Sequence, residues 1–333
     1  MSMDISTKIG ANMVVCAPQL RFFLQLLAAA GCYLNFIYGG IFGLLLCLYL
    51  LQTSFWYLTP LYIVWIYLDR TTCETGGRPI KWVRNWAWWY YVTQYYQSQL
   101  TCDPNFTLDL KKNYFFCCFP HGIVPTGTVT AFLRGDSNFS RLLPNFVVKV
   151  ATLHFNFYLP FVRELYLSMG CVSCSVRSID WVLSRPQGGQ VVLLWPGGAE
   201  EALESKPGRY KLVVMKRKGF VKIAMKNGSP LVPVITFGET DLFEQIDIMC
   251  LRKIQDFIKT WTGIALVLTR GFIPRRKRLV TVLGKPIDIK KVEQPTEEQI
   301  NKLHGRFVKE LENLFENYKY NFLEDANNTF LEL

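Results

Sequence analysis

Asn113–Gly127, NYFFCCFPHGIVPTG, is the stretch on which the fold and the site depend. Its run of aromatic and thiol residues, Tyr114–Phe119, has the composition of a strand. The run ends at a proline and a glycine that flank His121, so this histidine is predicted where a strand leaves its sheet. The chain has only three histidines, and His121 therefore has few competitors for acid–base chemistry near neutral pH. A histidine that merely ends the strand is the alternative interpretation.

The composition indicates a membrane and an anionic partner. Half of the 333 residues are hydrophobic, 15% are aromatic, and the formal net charge is +11. A basic surface suits lipid headgroups or nucleotide-like ligands. Nucleic acid is disfavoured, because no DNA- or RNA-recognition motif is present and the aromatic residues gather near apolar segments. No metal site is expected, since the single Cys-x-x-Cys motif, Cys171 with Cys174, has no second pair.

Residues 22–68 contain no charged side chain, and this run is too long for one membrane span of about 20 residues. The polar triplet 52–54 divides it, so we predict a membrane-embedded hairpin of two hydrophobic segments after a tail over residues 1–21. The second segment is short and contains Pro60. Basic residues flank both ends of the run, which places both ends in the cytosol. They are Lys8, Arg21, Arg70, Arg78, Lys81 and Arg84.

Residues 69–100 combine many tryptophans and tyrosines with lysine and arginine. Amphipathic rings beside cations suit the headgroup layer of a bilayer. We therefore predict an interfacial aromatic helix over this range. An aromatic helix that packs into a protein core is the alternative interpretation.

Residues 101–333 have an α/β pattern and are predicted to form one cytosolic catalytic domain. Apolar strand-like runs alternate with helical stretches, which indicates a mainly parallel sheet flanked by helices. The predicted strands are Tyr114–Phe119, Phe146–Ala151, Gln190–Trp195, Leu231–Thr236, Ile264–Leu268 and Leu279–Leu283. The predicted helices between them are Tyr158–Ser168, Ser178–Ser184, Lys216–Asn227 and Leu251–Trp261. A last helix is predicted from a capping box, Thr296 with Gln299, to about Phe322.

A second strand-end turn, Pro196–Ala202, follows the apolar run Val191–Trp195. Turns after parallel strands meet at the carboxyl edge of the sheet, which would bring His121 near Glu200 or Glu201. A carboxylate beside an imidazole orients it and stabilises the imidazolium that forms during proton abstraction. A tight loop with two solvated glutamates is the alternative interpretation.

The two turns also supply candidate hydrogen-bond donors. The amides of Gly197 and Gly198 are candidates to hold a developing oxyanion, and Gly122 completes the turn beside His121. The nucleophile elbow G-x-S-x-G, the Walker loop and the dinucleotide motif G-x-G-x-x-G are absent from the sequence. A covalent serine hydrolase and a nucleotide-binding enzyme of those types are therefore not indicated.

Further motifs are dispersed along the chain in a fixed order. They are Thr75–Arg78, Pro120–Gly122, Leu159–Glu164, Met169-Gly170, Gly197–Leu203, Arg217–Ala224, Phe237–Leu242, Arg270-Gly271, Val282–Pro286, Pro295-Thr296 and His304. In their order and spacing these motifs resemble the diacylglycerol acyltransferase type 2 family, which includes monoacylglycerol acyltransferases and wax synthases. The resemblance covers residues 75–333 and implies a glycerolipid-acyltransferase-like fold.

The resemblance implies acyl transfer from acyl-CoA to the hydroxyl of mono- or diacylglycerol, with His121 as the general base and Glu201 as the carboxylate that assists it. Acyl-CoA is then a co-substrate, and no cofactor or metal is expected. The implied location is the endoplasmic reticulum membrane, multi-pass, with lipid droplets and a homo-oligomer left open. The candidates for binding acyl-CoA are Arg163, Lys216, Arg217, Lys218 and Lys222. A solvated helix face is the alternative for the basic residues after 215.

The chain departs from the family pattern at several positions. Phe119 stands where the first motif of the family has a histidine, and Gln97 replaces a proline. Thr126 stands where the related glycerol-phosphate acyltransferases have an aspartate. A wax ester synthase with a fatty alcohol as acceptor and a non-catalytic lipid-binding paralogue are the alternative functions, and a membrane esterase has less support.

Overall fold

A seven-stranded sheet organises the protein in the computed structural model, which describes residues 18–135, 137–246, 248–263 and 265–333. Its strands are β1 (Gln99–Cys102), β2 (Tyr114–Phe119), β3 (Val147–Thr152), β4 (Cys171–Ser173), β5 (Gln190–Leu194), β7 (Leu231–Phe237) and β8 (Val280–Leu283). Two short strands, β6 (Tyr210–Lys211) and β9 (Leu331–Glu332), pair separately. The strand order is β1-β8-β7-β2-β5-β3-β4. The strands from β7 to β4 are parallel, and β8 is antiparallel to β7. The predicted mainly parallel sheet is confirmed.

Helices cover both faces of the sheet. They are α1 (Pro18–Leu50), α2 (Leu58–Leu68), α3 (Lys81–Arg84), α4 (Ala87–Tyr95), α5 (Thr126–Phe132), α6 (Asn138–Leu142), α7 (Val162–Met169), α8 (Val176–Leu183), α9 (Gly198–Glu204), α10 (Gly219–Asn227), α11 (Met249–Thr262) and α12 (Glu297–Phe322). The predicted capping box of α12 is confirmed, because Thr296 and Gln299 each accept the backbone N–H of the other. The strand predicted over residues 264–268 is wrong for 265–268, which form an irregular connection, and Ile264 lies outside the described residues.

The side chains of β2 show why the sheet is covered on both sides. Successive residues of a strand point to opposite faces. Phe115 and Phe119 therefore join the core formed with α8, α10 and α12, while Phe116 joins the core formed with α5, α6 and α7. All six residues of β2 are buried. This explains why the strand is a continuous apolar run instead of an alternation of apolar and polar residues.

The apolar N-terminal region contains two helices of unequal length. Within the described residues, α1 is the one helix long and apolar enough to cross a membrane. The domain packs along part of it, since the ring of Tyr33 stacks on Phe243 at 4.2 Å and its hydroxyl lies 2.8 Å from Thr269 Oγ1. The second segment, α2, has 11 residues, and its length of about 16 Å does not cross a hydrocarbon layer of about 30 Å. The predicted membrane-embedded hairpin of two hydrophobic segments stays a prediction.

Instead of one aromatic helix, residues 69–100 contain the short helices α3 and α4 and the first strand. The backbone of Trp86 is extended between the two helices and separates them. The indole of Trp89 is buried and donates to the Val83 carbonyl at 2.8 Å, whereas Trp82 is 73% exposed. One part of the aromatic cluster thus belongs to the core, as in the alternative interpretation, and another part faces outward.

Candidate active site

Three loops converge where adjacent parallel strands end. Strand β2 lies between β5 and β7 in the sheet, and all three run in the same direction. His121 follows β2, the turn with Gly197 follows β5, and Glu239 follows β7. Because loops at the carboxyl ends of parallel strands meet at one edge of the sheet, the three loops come together there.

Glu201 holds the loop of His121 from the β5 side. Its Oε2 accepts the backbone N–H of His121 at 2.9 Å, and its Oε1 accepts the N–H of Val213 at 2.8 Å. The side chain is 2% exposed, and burial raises its pKa to about 7 against the opposing effect of the two amide donors. The structure thus brings Glu201 to His121, but its carboxylate bonds the backbone amide instead of the imidazole. Glu201 lies in the first turn of α9, where helical side chains point back toward the N-terminus, here beneath the loop.

The imidazole of His121 is oriented by a backbone carbonyl. Its Nδ1 lies 2.9 Å from the carbonyl oxygen of Gly122. A carbonyl oxygen only accepts, so this contact is a hydrogen bond when Nδ1 carries the proton, and Nε2 is then the unprotonated nitrogen. Burial lowers the pKa of His121, and the bond to Gly122 opposes that effect. The ring is consequently neutral near pH 7, with a free lone pair on Nε2.

Glu239 holds the same loop from the β7 side, and the sequence interpretation did not identify it. Its two carboxylate oxygens accept the N–H groups of Thr126 and Gly127, each at 2.8 Å, in the first turn of α5. The side chain is 2% exposed, and burial raises its pKa to about 8. The available signal was the turn itself, because Gly238-Glu239 directly follows an apolar strand as the other two turns do.

Two glycines make room for the two carboxylates. At Gly197 a Cβ atom would lie 2.0 Å from Cδ of Glu201. At Gly122, whose φ is +61°, a Cβ atom would lie 2.8 Å from Cγ of Glu239. Any side chain at these positions would therefore displace a carboxylate that positions the His121 loop.

Gly198, one of the predicted oxyanion donors, is already hydrogen-bonded within the turn. The amide of Gly198 donates to the Trp195 carbonyl at 3.1 Å and is used within the turn. The indole of Trp195 lies edge-on to the imidazole of His121, with 6.1 Å between the ring centroids. Its Nε1 is buried and has no hydrogen-bond partner among the residues that the structure describes. A buried donor without an acceptor lowers the stability of the folded protein unless a ligand or water accepts from it.

The structure separates the candidates for acyl-CoA binding. Arg163 is 1% exposed, and its guanidinium pairs with Asp69 and Glu164, so it belongs to an ion-pair cluster. Arg217 is exposed and pairs with Glu200 at 2.9 Å, which places it beside the turn that carries the site carboxylate. Exposed lysines surround it. They are Lys216, Lys218 and Lys222.

The other two histidines have structural partners. His154 lies within hydrogen-bond distance of Ser173 and Tyr158, and buried His304 lies 3.0 Å from the Val214 carbonyl oxygen through Nε2. Phe119, at the position where the family has a histidine, is buried against Phe307. Of the three histidines, His121 alone is joined to the converging strand ends by these contacts. Within the described residues, no group of three or more His, Cys, Asp or Glu side chains is placed to hold a metal ion.

Comparison with known proteins decides the family. A family model described as diacylglycerol acyltransferase matches residues 48–332. The chain belongs to the diacylglycerol acyltransferase family. It is 37% identical to 2-acylglycerol O-acyltransferase 1 of Bos taurus, over 92% of this chain and 95% of that relative. It is 39% identical to diacylglycerol O-acyltransferase 2 of Dictyostelium discoideum, over 80% of this chain and 83% of that relative. The predicted family and the predicted enzyme class, acyltransferase, are confirmed.

A solved structure gives a more distant comparison within the acyltransferases. It is the crystal structure of the 1-acyl-sn-glycerophosphate (LPA) acyltransferase PlsC from Thermotoga maritima. The two chains are 13% identical with a TM-score of 0.42, over 87% of this chain and 95% of that one.

Proposed function

We propose that the protein transfers a fatty acyl group from acyl-CoA to the hydroxyl of mono- or diacylglycerol, with His121 as the general base. The observation that carries this proposal is the imidazole whose Nδ1 is tied to the Gly122 carbonyl. This tautomer leaves Nε2 as a base, and the lowered pKa of His121 keeps it unprotonated near neutral pH. The names of the relatives support an acylglycerol as the acceptor.

In the proposed reaction, Nε2 of His121 removes the proton of the acceptor hydroxyl while its oxygen attacks the thioester carbonyl. The carbonyl oxygen becomes negative in the tetrahedral intermediate. That intermediate collapses with cleavage of the carbon–sulfur bond, and the imidazolium returns its proton to the leaving thiolate. The products are the new ester and free CoA, and no covalent enzyme intermediate is required.

The two buried carboxylates serve this reaction as positioning groups. Glu201 and Glu239 hold the backbone on both sides of His121 by accepting hydrogen bonds from its N–H groups. The buried indole N–H of Trp195 and the amide of Gly197 are the proposed donors to the developing oxyanion. Pre-oriented donors in a site that excludes water stabilise such charge strongly.

Acyl-CoA is proposed to approach along the exposed basic segment. Arg217 is already next to the site through Glu200, and basic side chains suit the phosphates of CoA. The four basic residues of this proposal are Lys216, Arg217, Lys218 and Lys222. We place the enzyme at the endoplasmic reticulum membrane and at lipid droplets, which supply an acylglycerol acceptor, and assign Arg163 to the ion-pair cluster instead of the ligand.

The test is acyl transfer by the purified full chain with acyl-CoA and either mono- or diacylglycerol, comparing His121→Ala with His154→Ala. The first variant is expected to lose about 10²–10⁴ in kcat, the range of general-base catalysis. The second removes a histidine with structural partners and is expected to retain most of the rate. Full activity of His121→Ala would overturn the mechanism. A fatty alcohol as the preferred acceptor would indicate a wax ester synthase, and lipid binding without turnover would indicate a non-catalytic paralogue.

A further inference from the structure

Helix α11 exposes an apolar stripe. Ile254, Phe257 and Trp261 are 53%, 65% and 77% exposed. Their spacing of three and four residues places them on one side of the helix. Three large apolar side chains in a row on an exposed helical face are unfavourable in water, because apolar surface is more stable when it is removed from water. The stripe therefore indicates a surface that is covered in the working protein.

The opposite side of α11 is attached to the domain by polar contacts. The buried side chain of Gln255 donates to the Leu266 carbonyl at 2.8 Å. Arg252 donates to the Leu203 carbonyl at 2.8 Å and pairs with Glu204. A helix on the surface of a water-soluble protein buries its apolar side and exposes its polar side. In α11 this arrangement is reversed, so the polar contacts fix the helix with its apolar stripe facing outward.

The segment that follows α11 in the chain contacts the apolar helix α1. Thr269 in this segment contacts Tyr33 of α1 at 2.8 Å, and the ring of Phe272 lies 6.2 Å from that of Tyr38. Phe272 and the next residue, Ile273, are each 59% exposed. Large apolar side chains of α1 are exposed as well, including Phe42 at 64%. Exposed apolar side chains are thus found on α1, on the segment 269–273 that contacts α1, and on α11, which precedes this segment in the chain.

Cations accompany this apolar surface. Lys253 is exposed next to Ile254, and the side chain of Arg270, in the segment that leads to Phe272, is 70% exposed and pairs with Glu244 at 3.0 Å. Tryptophan and phenylalanine beside lysine and arginine are typical of helices that lie in the headgroup region of a membrane. The cations match anionic lipid headgroups, whereas they give no comparable reason for a second copy of this basic chain to bind.

We propose that the outer face of α11, together with the tip at Phe272 and Ile273, is a membrane-docking surface that rests on a bilayer containing anionic lipids. Its position has a consequence for the site, because Arg252 of α11 holds the C-terminal end of α9 and α9 carries Glu201. Docking of α11 would therefore bring the strand-end loops close to the bilayer, where an acceptor lipid is dissolved. Contact of α11 with the bilayer is independent of the proposed acyl-transfer chemistry, and only its consequence for the acceptor lipid rests on the proposed function.

The test is photo-crosslinking of the full chain in vesicles of phosphatidylcholine and phosphatidylserine that carry a tritiated phospholipid. A benzophenone amino acid replaces Phe257 in one protein, Phe42 of α1 in a second and Val147 in a third. Phe42, 64% exposed on the apolar helix α1, is the reference for a position expected to face lipid. Val147, 41% exposed at the amino end of β3, is the matched apolar position at the opposite edge of the sheet from the candidate active site. The expected result is a lipid adduct at 257 and 42, with several-fold less at 147.

Three outcomes of this experiment would argue against the proposal. A covalent dimer formed through position 257 would assign the face to a second copy of the chain. Lipid adducts at 42 without adducts at 257 would show that α11 lies in water. An equal yield of adducts at 257 and 147 would mean that labelling is nonspecific and that the face has no preference for the bilayer. Replacing phosphatidylserine with phosphatidylcholine is expected to lower the yield at 257 more than at 42, because α11 relies partly on its cations.

Discussion

Substitution of Glu239 by glutamine tests whether the loop of His121 is positioned from the β7 side. The carboxylate accepts from Thr126 and Gly127 at 2.8 Å each, and both contacts are buried. Glutamine has the same shape, but only its oxygen can accept, so one backbone N–H faces an amide donor and is left unpaired. An unpaired buried donor costs about 1–3 kcal/mol. A cost of about 2 kcal/mol in a chain of this length lowers the apparent Tm by roughly 3 °C.

The expected effect on catalysis is larger than the effect on stability. A displacement of about 1 Å in a catalytic group costs on the order of 10² in rate. We therefore expect Glu239→Gln to lower kcat by about that factor, with the KM for acyl-CoA nearly unchanged because the basic segment is untouched. Glu312→Gln on the exposed side of α12 is the matched control. Wild-type kcat in Glu239→Gln, measured at a temperature where both proteins are folded, would refute the positioning role.

The pH dependence of stability supplies a separate measurement. The pKa of Glu239 is raised from its ordinary value of 4.5 to about 8, so the folded protein binds this proton more tightly than the unfolded chain. The contribution of Glu239 to stability is therefore complete below pH 4.5 and is lost as the pH rises toward 8. The variant lacks this titration. Its Tm should fall less than that of the wild type between pH 5 and 8. Plots of Tm against pH that run parallel for the two proteins would contradict the raised pKa of Glu239.

Three further substitutions probe the same region. Gly197→Ala should displace the carboxyl of Glu201 and lower kcat/KM by about 10², because the new Cβ would lie 2.0 Å from Cδ; a wild-type value would contradict this. Phe119→His restores the family residue but buries a polar ring against Phe307, so it should lower the free energy of unfolding in denaturant titration by about 1–3 kcal/mol without raising activity. Trp195→Phe keeps an aromatic side chain but removes the indole N–H, so kcat should fall by about 10². An unchanged kcat would show that Trp195 does not donate to the oxyanion.

Much of the sheet was predictable from local patterns. The strand Tyr114–Phe119 has the predicted bounds, and four further predicted strands are correct to within one residue at each end. Continuous apolar runs bounded by glycine and proline are strong signals because a strand buried on both faces excludes polar residues. The strand predicted over residues 264–268 is wrong for 265–268. Their apolar side chains pack between α1 and α11 without joining the sheet, and local composition does not distinguish these two environments.

The candidate site was predictable in its location but not in its contacts. Parallel strand ends meet at one edge, which was enough to place His121 beside the turn of Glu201. The spacing of residues does not show whether a carboxylate reaches an imidazole or the backbone N–H behind it. That depends on the start of α9 and on the space left by Gly197. Arg163 illustrates the same limit, because its ion pair with Asp69, at the end of α2, joins residues that are far apart in the sequence.

The sequence by itself determined the strand of Asn113–Gly127, the histidine at its end, the apolar N-terminal region and the family motifs, because these depend on neighbouring residues. The tertiary structure decided that β7 runs beside β2, and this brings Glu239 to the backbone of Thr126, 113 residues away in the chain, beneath the loop of His121. It also decided that α11 turns its apolar side outward. Both features depend on contacts between segments distant in the chain, and the free energy of burying a side chain is set by those contacts rather than by its sequence neighbours.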